Sequence, residues 1–259
     1  AALRATWGVV VASYAMAAVL AVILVAIIAF MPSGLPKGRK GAKFSEVFSK
    51  SANVNWLSAA RVFLFGARDV WFVVGIPIYF YAVLSDGTEA GNRATFFLIG
   101  TFMAVWIILY GIVQANTPKL LRATQRSASA LVQEARTWAF RLLVVPVALT
   151  IAVILSPEPQ LWLTVTLVIG LLAFGALFAV NSALHSYLIL DFTQSERVTM
   201  DVGFYYMAYA GGRLLGTVFS GLSYQVGGLP LVLGTASAMV ALSAVMAGQL
   251  KAADVPAYQ

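Results

Sequence analysis

Apolar runs of about twenty residues or more, separated by short polar stretches, occupy this chain from end to end. About twenty residues is also the length an α-helix needs to cross a hydrocarbon core of roughly 30 Å. A soluble domain carries roughly a quarter charged residues, whereas here only 10% are charged and 61% are hydrophobic, with a mean hydropathy of +0.87. The chain cannot hide that much apolar surface inside itself, so lipid is its solvent. Helices satisfy their own backbone polar groups in lipid, and the expected fold is all-α, a polytopic transmembrane helical bundle.

The runs mark about seven spans, at roughly 7–31, 54–84, 95–117, 137–156, 161–190, 202–226 and 229–249. An odd count puts the two ends on opposite faces. The net charge of +7 comes with basic residues gathered in two connections. The first holds Lys37, Arg39, Lys40, Lys43 and Lys50 against Glu46, and the second holds Lys119, Arg122, Arg126 and Arg136 against Glu134. Excess Lys and Arg mark cytoplasmic loops; membrane topology thus accounts for the basic charge, and a nucleic-acid partner is not expected. The alternate connections, around Asp86 and Glu89, around Glu158, and at Gly227-Gly228, are acidic or short and face outward. The segment from Asp191 to Asp201 is cytoplasmic by parity despite its acids, which weigh little in orientation. The N-terminus is then outside and the C-terminus cytoplasmic. Pro32, Gly34, Pro36, Gly38 and Gly41 interrupt helix after the first span, leaving a basic linker with a short amphipathic piece at Phe44, Val47 and Phe48.

Ionisable groups at membrane depth are costly and normally face a bundle interior or a water-filled path. The second span holds Arg61, Arg68 and Asp69. Seven residues bring the two arginines to nearly one face, and Asp69 falls about 80° round from Arg61. Two readings apply to the arginines: recognition of an anion, or a structural pairing in which Arg68 meets a carboxylate on a neighbouring helix and Arg61 snorkels to the surface. In the sixth span, Tyr206, Tyr209, Arg213, Thr217 and Ser220 follow three- and four-residue steps, which makes a polar, aromatic stripe. Gly211, Gly212, Gly216 and Gly221 read as sites of close helix approach. The third span offers Trp106, Tyr110 and Gln114, with Asn116 nearby, and the fifth offers Asn181, Ser182 and His185. Such groups line a cavity or bond adjacent helices. His185 reads as a packing residue or a proton relay. Asp69, alone among carboxylates in lying well inside a span, reads as a proton site or as the internal partner of an arginine.

Other chemistries lack their residues. The chain contains no Cys and one His, so disulfides, thiol catalysis, Cys-based metal sites and His clusters are not expected. It has no mid-span Lys for a retinal Schiff base, no GxxxxGK[ST] and no HExxH. No cofactor, no metal and no enzymatic activity are expected.

The strings NWLSAARVFLFGARDVWFVVGIP at 55–77, YGIVQ at 110–114, VTMDVGFYYMAYAGGRLLGT at 198–217 and SGLSYQ at 220–225 resemble the major facilitator superfamily from its sixth transmembrane helix onward. Within it they look most like the arsenic-resistance permeases that export 1-arseno-3-phosphoglycerate. The resemblance implies that 1–31 is the last helix of the N-terminal half, 32–53 the central cytoplasmic loop, 54–250 the C-terminal six-helix bundle and 251–259 a cytoplasmic tail. It also implies that the sequence starting at Ala1 lacks five preceding helices, which would be partners of this bundle. The implied activity is export of a small anionic organoarsenical across a bacterial inner membrane by alternating access. The implied contacts are Arg61, Arg68, Arg213, Tyr206, Tyr209, Tyr110, Gln114 and Asn181. Alternatives are another carrier of the superfamily, for drugs with proton antiport or for phosphorylated metabolites, and, from a different class, a seven-helix receptor or sensor.

Overall fold

A computed structural model describes residues 2–30, 48–122, 125–156, 158, 160–193 and 197–251. The described residues form α1 (Ala2–Phe30), α2 (Ala52–Val70), a π-helical turn (Trp71–Gly75), α3 (Ile76–Leu84), α4 (Glu89–Leu120), α5 (Ala128–Leu155), α6 (Leu161–Phe192) and α7 (Val198–Gly248). Six helices among them are long and apolar enough to cross a membrane. The protein is therefore a polytopic all-α membrane protein. The basic linker from Lys37 to Glu46, with Phe44 and Val47 of the amphipathic piece, and the tail beyond Lys251 lie outside the described residues.

The expected spans at 202–226 and 229–249 are two helical segments of α7, joined where the backbone leaves helical geometry at Gly227 (φ −143°) and Gly228 (φ 59°); the Ser223 and Thr235 hydroxyls, twelve residues apart, meet at 3.0 Å, so the chain folds back at this join. A positive φ is cheap only for glycine, so Gly228 is the residue that permits this bend. Elsewhere the helices exceed the spans marked by hydropathy. α5 begins at Ala128 rather than 137, because the Ser127 side chain accepts from the Ala130 N–H and caps it. Arg136 thereby moves from the connection into a helix, where it donates to the Leu250 carbonyl oxygen. α4 begins at Glu89, an acid in the first turn, where the helix dipole favours it.

The chain divides into two compact units, residues 1–44 with 80–104, and residues 45–79 with 105–259. In the first unit, the apolar stretch Val10–Phe30 has no buried residues. Its other part packs Phe80 against Phe102 and Tyr81 against Phe96. Between α3 and α4, the Thr88 hydroxyl and N–H both donate to Asp86, and the hydroxyl bond foremost holds the Asp86 carboxyl below its ordinary range.

The second unit is built around α2 and its packing on α7. Ser51 caps α2 by accepting from the Val54 N–H. Asn53 then exchanges two hydrogen bonds with the backbone of Lys251, at 2.9 and 3.0 Å, tying the start of α2 to the end of α7. Close approach of the two helices depends on Gly212 and Gly216. A Cβ on Gly212 would strike the Val62 carbonyl oxygen, and one on Gly216 would lie 2.5 Å from the Gly66 carbonyl oxygen. Gly211 and Gly221, read as close-approach sites from their types, would place a Cβ in open space. Beyond Asp69 the helix widens into the π turn. Pro77 cannot donate to the residue 73 carbonyl and its ring crowds that carbonyl, and a π turn relieves such a conflict inside a helix. Trp71 anchors the turn, with its ring edge-on to Trp106 and Phe174 at 5.4 Å from each. The Gly75 N–H donates to Ser220 on α7 at 3.2 Å.

Candidate functional site

The most concentrated chemistry lies where α2 meets α7. Asp69 is 1% exposed and shared between two guanidinium groups. Arg68 approaches Oδ1 with Nε at 2.7 Å and a terminal nitrogen at 2.6 Å, and Arg213 donates from Nε to Oδ2 at 3.0 Å. Glycine contacts make the cross-helix half of this arrangement possible, since Gly216 lies one turn beyond Gly212 and faces the Asp69 Cβ, which would be 2.9 Å from any Cβ there. Two cations against one carboxylate leave one surplus positive charge.

Exposure divides the cluster. Arg68 is nearly buried, its side chain 12% exposed, with its guanidinium over the Phe65 and Phe178 rings. Arg213 is 50% exposed and donates to the Tyr209 hydroxyl at 3.3 Å. Tyr206 and Thr217 on the same helix are exposed, so the polar stripe of α7 lies open along one side. Ser220, read as its continuation, is buried and engaged with Gly75.

Arg61 occupies a different environment. It is 4% exposed, which excludes the snorkelling posture. The guanidinium donates to the Tyr205 hydroxyl and stacks against Tyr205, Phe65 and Tyr209, with centroid distances of 4.2, 4.5 and 5.5 Å. Phe65, between Arg61 and Arg68 on one helical face, touches both. Tyr205, missed at the sequence level in favour of its exposed neighbour Tyr206, is fully buried and lies 3.4 Å from the Ser186 hydroxyl.

The remaining expected site residues are dispersed. Tyr110 stacks on Trp106 and abuts Phe178, on the aromatic side of the Arg68 environment. Gln114 reaches Ser182 at 3.4 Å. The Asn181 amide donates to the Trp138 and Leu177 carbonyls, both at 3.0 Å, so it joins α6 to α5. His185 is buried, with neither ring nitrogen hydrogen-bonded. Arg141, not singled out by the sequence reading, stacks over Trp138 on α5 at 4.7 Å. Among the described residues no three His, Asp or Glu side chains gather as a metal site. A separate cavity of about 440 Å³, lined by Tyr79, Tyr224, Ser156, Glu158, Leu163 and Pro230 among others, includes none of these groups.

The arrangement defines a polytopic membrane protein with a guanidinium–carboxylate cluster opening from a helix pair. Comparisons with protein families, curated proteins and solved structures yield no match to this chain.

Proposed function

We propose that this protein is a secondary transporter, not an enzyme, and that it exports a small organic anion through a path along the open stripe of α7. The observation carrying this reading is Arg213, half-exposed within an apolar helix while sharing a buried carboxylate with Arg68. A cation at membrane depth faces water or a partner rather than lipid tails. Surplus positive charge suits an anion, and guanidinium forks match phosphate-like oxyanions bidentately, which an ammonium does not. In this reading Asp69 holds the two arginines in register while Arg213, Tyr209 and Tyr206 meet the substrate.

The particular substrate follows from the sequence resemblance: 1-arseno-3-phosphoglycerate, moved by alternating access across a bacterial inner membrane, within a major facilitator architecture. Here α7 counts as two spans, because its two segments meet at the Gly227-Gly228 break and fold back on each other, with Ser223 against Thr235, and each segment has about the twenty residues a crossing needs. The N-terminus is then outside and the C-terminus cytoplasmic, and helices of another half form the wall opposite the open stripe.

Export assayed in vesicles at matched membrane expression tests the proposal. Arg213→Lys keeps the charge and loses the fork, and export is expected to fall by about tenfold or more, the worth of one charge-assisted hydrogen bond. Tyr206→Phe, which keeps the ring, is expected to fall less. Unchanged apparent affinity in both Arg213→Lys and Arg68→Lys would remove the anion site from the account.

A further inference from the structure

Arg61 is a buried cation without a counter-ion. Among the described residues no carboxylate lies within ion-pair distance of it. The two buried carboxylates are engaged elsewhere, Asp69 by Arg68 and Arg213 and Asp201 by Arg197 at 3.9 Å. The single hydrogen-bond acceptor Arg61 does have, the Tyr205 hydroxyl, is neutral. Ring faces attract a guanidinium through their quadrupole, but they do not cancel its charge. An unpaired charge in a low-dielectric interior is strongly unfavourable.

The unsatisfied groups around Arg61 point to what completes the site. Arg61 Nε is a buried donor with no acceptor. Ser58, one turn earlier on α2 and 1% exposed, has a hydroxyl with no partner. His185 on α6, 1% exposed and adjacent in sequence to Ser186, whose hydroxyl lies 3.4 Å from the Tyr205 hydroxyl that Arg61 engages, has two unpartnered ring nitrogens, of which at least one carries a proton in either charge state. Tyr205 cannot turn its own proton inward without leaving Ser186, whose hydroxyl already donates to the Ser182 carbonyl at 2.9 Å. Three orphan donors beside an uncompensated positive charge call for an acceptor that is itself negative. Water satisfies the donors and leaves the charge. An organic phosphate would need an opening, and Arg61, Ser58 and His185 are each at least nine-tenths buried.

We propose that Arg61, Ser58 and His185 form an enclosed site for a small monovalent inorganic anion of halide type, distinct from the Asp69 cluster and acting as the internal counter-ion of the α2, α6 and α7 packing. Tyr205 positions the guanidinium. This site does not depend on the transport reading, because it needs neither Arg213 nor the open stripe.

Equilibrium binding of radiolabelled chloride to the purified full chain, with gluconate as the balancing anion, tests it. The expected result is saturable binding near one chloride per chain, abolished by Arg61→Gln and weakened about tenfold by His185→Ala, the loss of one hydrogen bond to a charged group. Ser58→Ala, which makes little demand on folding, is expected to weaken binding about fivefold, the value of a weaker neutral donor. Arg213→Gln is expected to bind chloride as the parent does. Absence of saturable chloride binding by the folded parent chain would overturn the proposal, as would loss of binding with Arg213 rather than Arg61. Saturable binding of inorganic phosphate in place of chloride would overturn the halide assignment, whereas the transport reading stands or falls on vesicle export of the organic anion by the parent and Arg213→Lys, measured separately.

Discussion

Asp69→Asn is expected to be the most damaging single substitution in the second unit, lowering stability by about 3 kcal/mol, at the low end of what breaking a buried ion pair costs. The carboxylate is buried and neutralises one of two guanidiniums, so its removal leaves Arg68 as an uncompensated, nearly buried cation. Arg213 adds little to that cost, because half of it remains in contact with its surroundings outside the protein and exposed pairs contribute up to about 1 kcal/mol. Arg68→Gln alone is expected to be much milder, since Arg213 and Asp69 persist as a neutral pair. The double change Arg68→Gln/Asp69→Asn is expected to recover most of the stability lost in Asp69→Asn. Denaturation midpoints of the four proteins in one detergent complete a double-mutant cycle, and an additive result would show that the two side chains are not energetically coupled. Transport separates the roles further: the double variant keeps the surplus positive charge, on Arg213, but is expected to fold and still fail to export, because Arg213 has lost the Asp69 carboxylate that holds its guanidinium in register.

The second large effect concerns neighbouring glycines with opposite expected signs. Gly212→Ala places a methyl against the carbonyl oxygen, carbonyl carbon and Cα of Val62, and backbone cannot swing aside as a side chain can. Overpacking of this kind costs about 1–3 kcal/mol, and it pushes α7 away from α2 beside Arg213, stretching the 3.0 Å contact to Asp69. Gly211→Ala, one residue earlier, meets nothing within 4 Å, and Ala exceeds Gly in helix preference by about 1 kcal/mol. It is expected to be neutral or stabilising. Thermal midpoints of the two variants, measured side by side, check the pair; equal effects would mean that the α2–α7 interface does not run through Gly212.

These residues also show where reading the sequence succeeds and where it stops. Lipid as solvent, the all-α class and most span positions follow from run length and hydropathy, which are local properties. Placing Arg61 and Arg68 on one face follows from helical spacing alone, and both do flank Phe65. Phase against a neighbouring helix is a different quantity. One residue on a helix turns about 100°, so nothing in the pair Tyr205-Tyr206 says which ring meets Arg61, and nothing in Gly211-Gly212 says which Cα meets Val62. Only the packing of α2 on α7 decides. Asn181 was legible as polar at membrane depth, but the Trp138 carbonyl that receives it becomes visible only when α5 and α6 are side by side. The π turn had a signal in Pro77, and α5's early start had one in Ser127; hydropathy windows register neither a missing donor nor a cap.

Whether the open stripe of α7 borders an anion path is tested most directly at Thr217, exposed and one turn beyond Arg213, whose carbonyl its hydroxyl bonds at 2.9 Å. The chain contains no Cys, so Thr217→Cys introduces a single thiol. In membranes, that thiol is expected to react with a water-borne, membrane-impermeant thiosulfonate. The reaction is expected to slow as a phosphorylated organic anion saturates its site, while an uncharged analogue leaves the rate unchanged. A thiol that does not react from water, or one whose reaction is indifferent to the anion, would place this face against lipid or protein and contradict the assignment of Arg213 to an anion path.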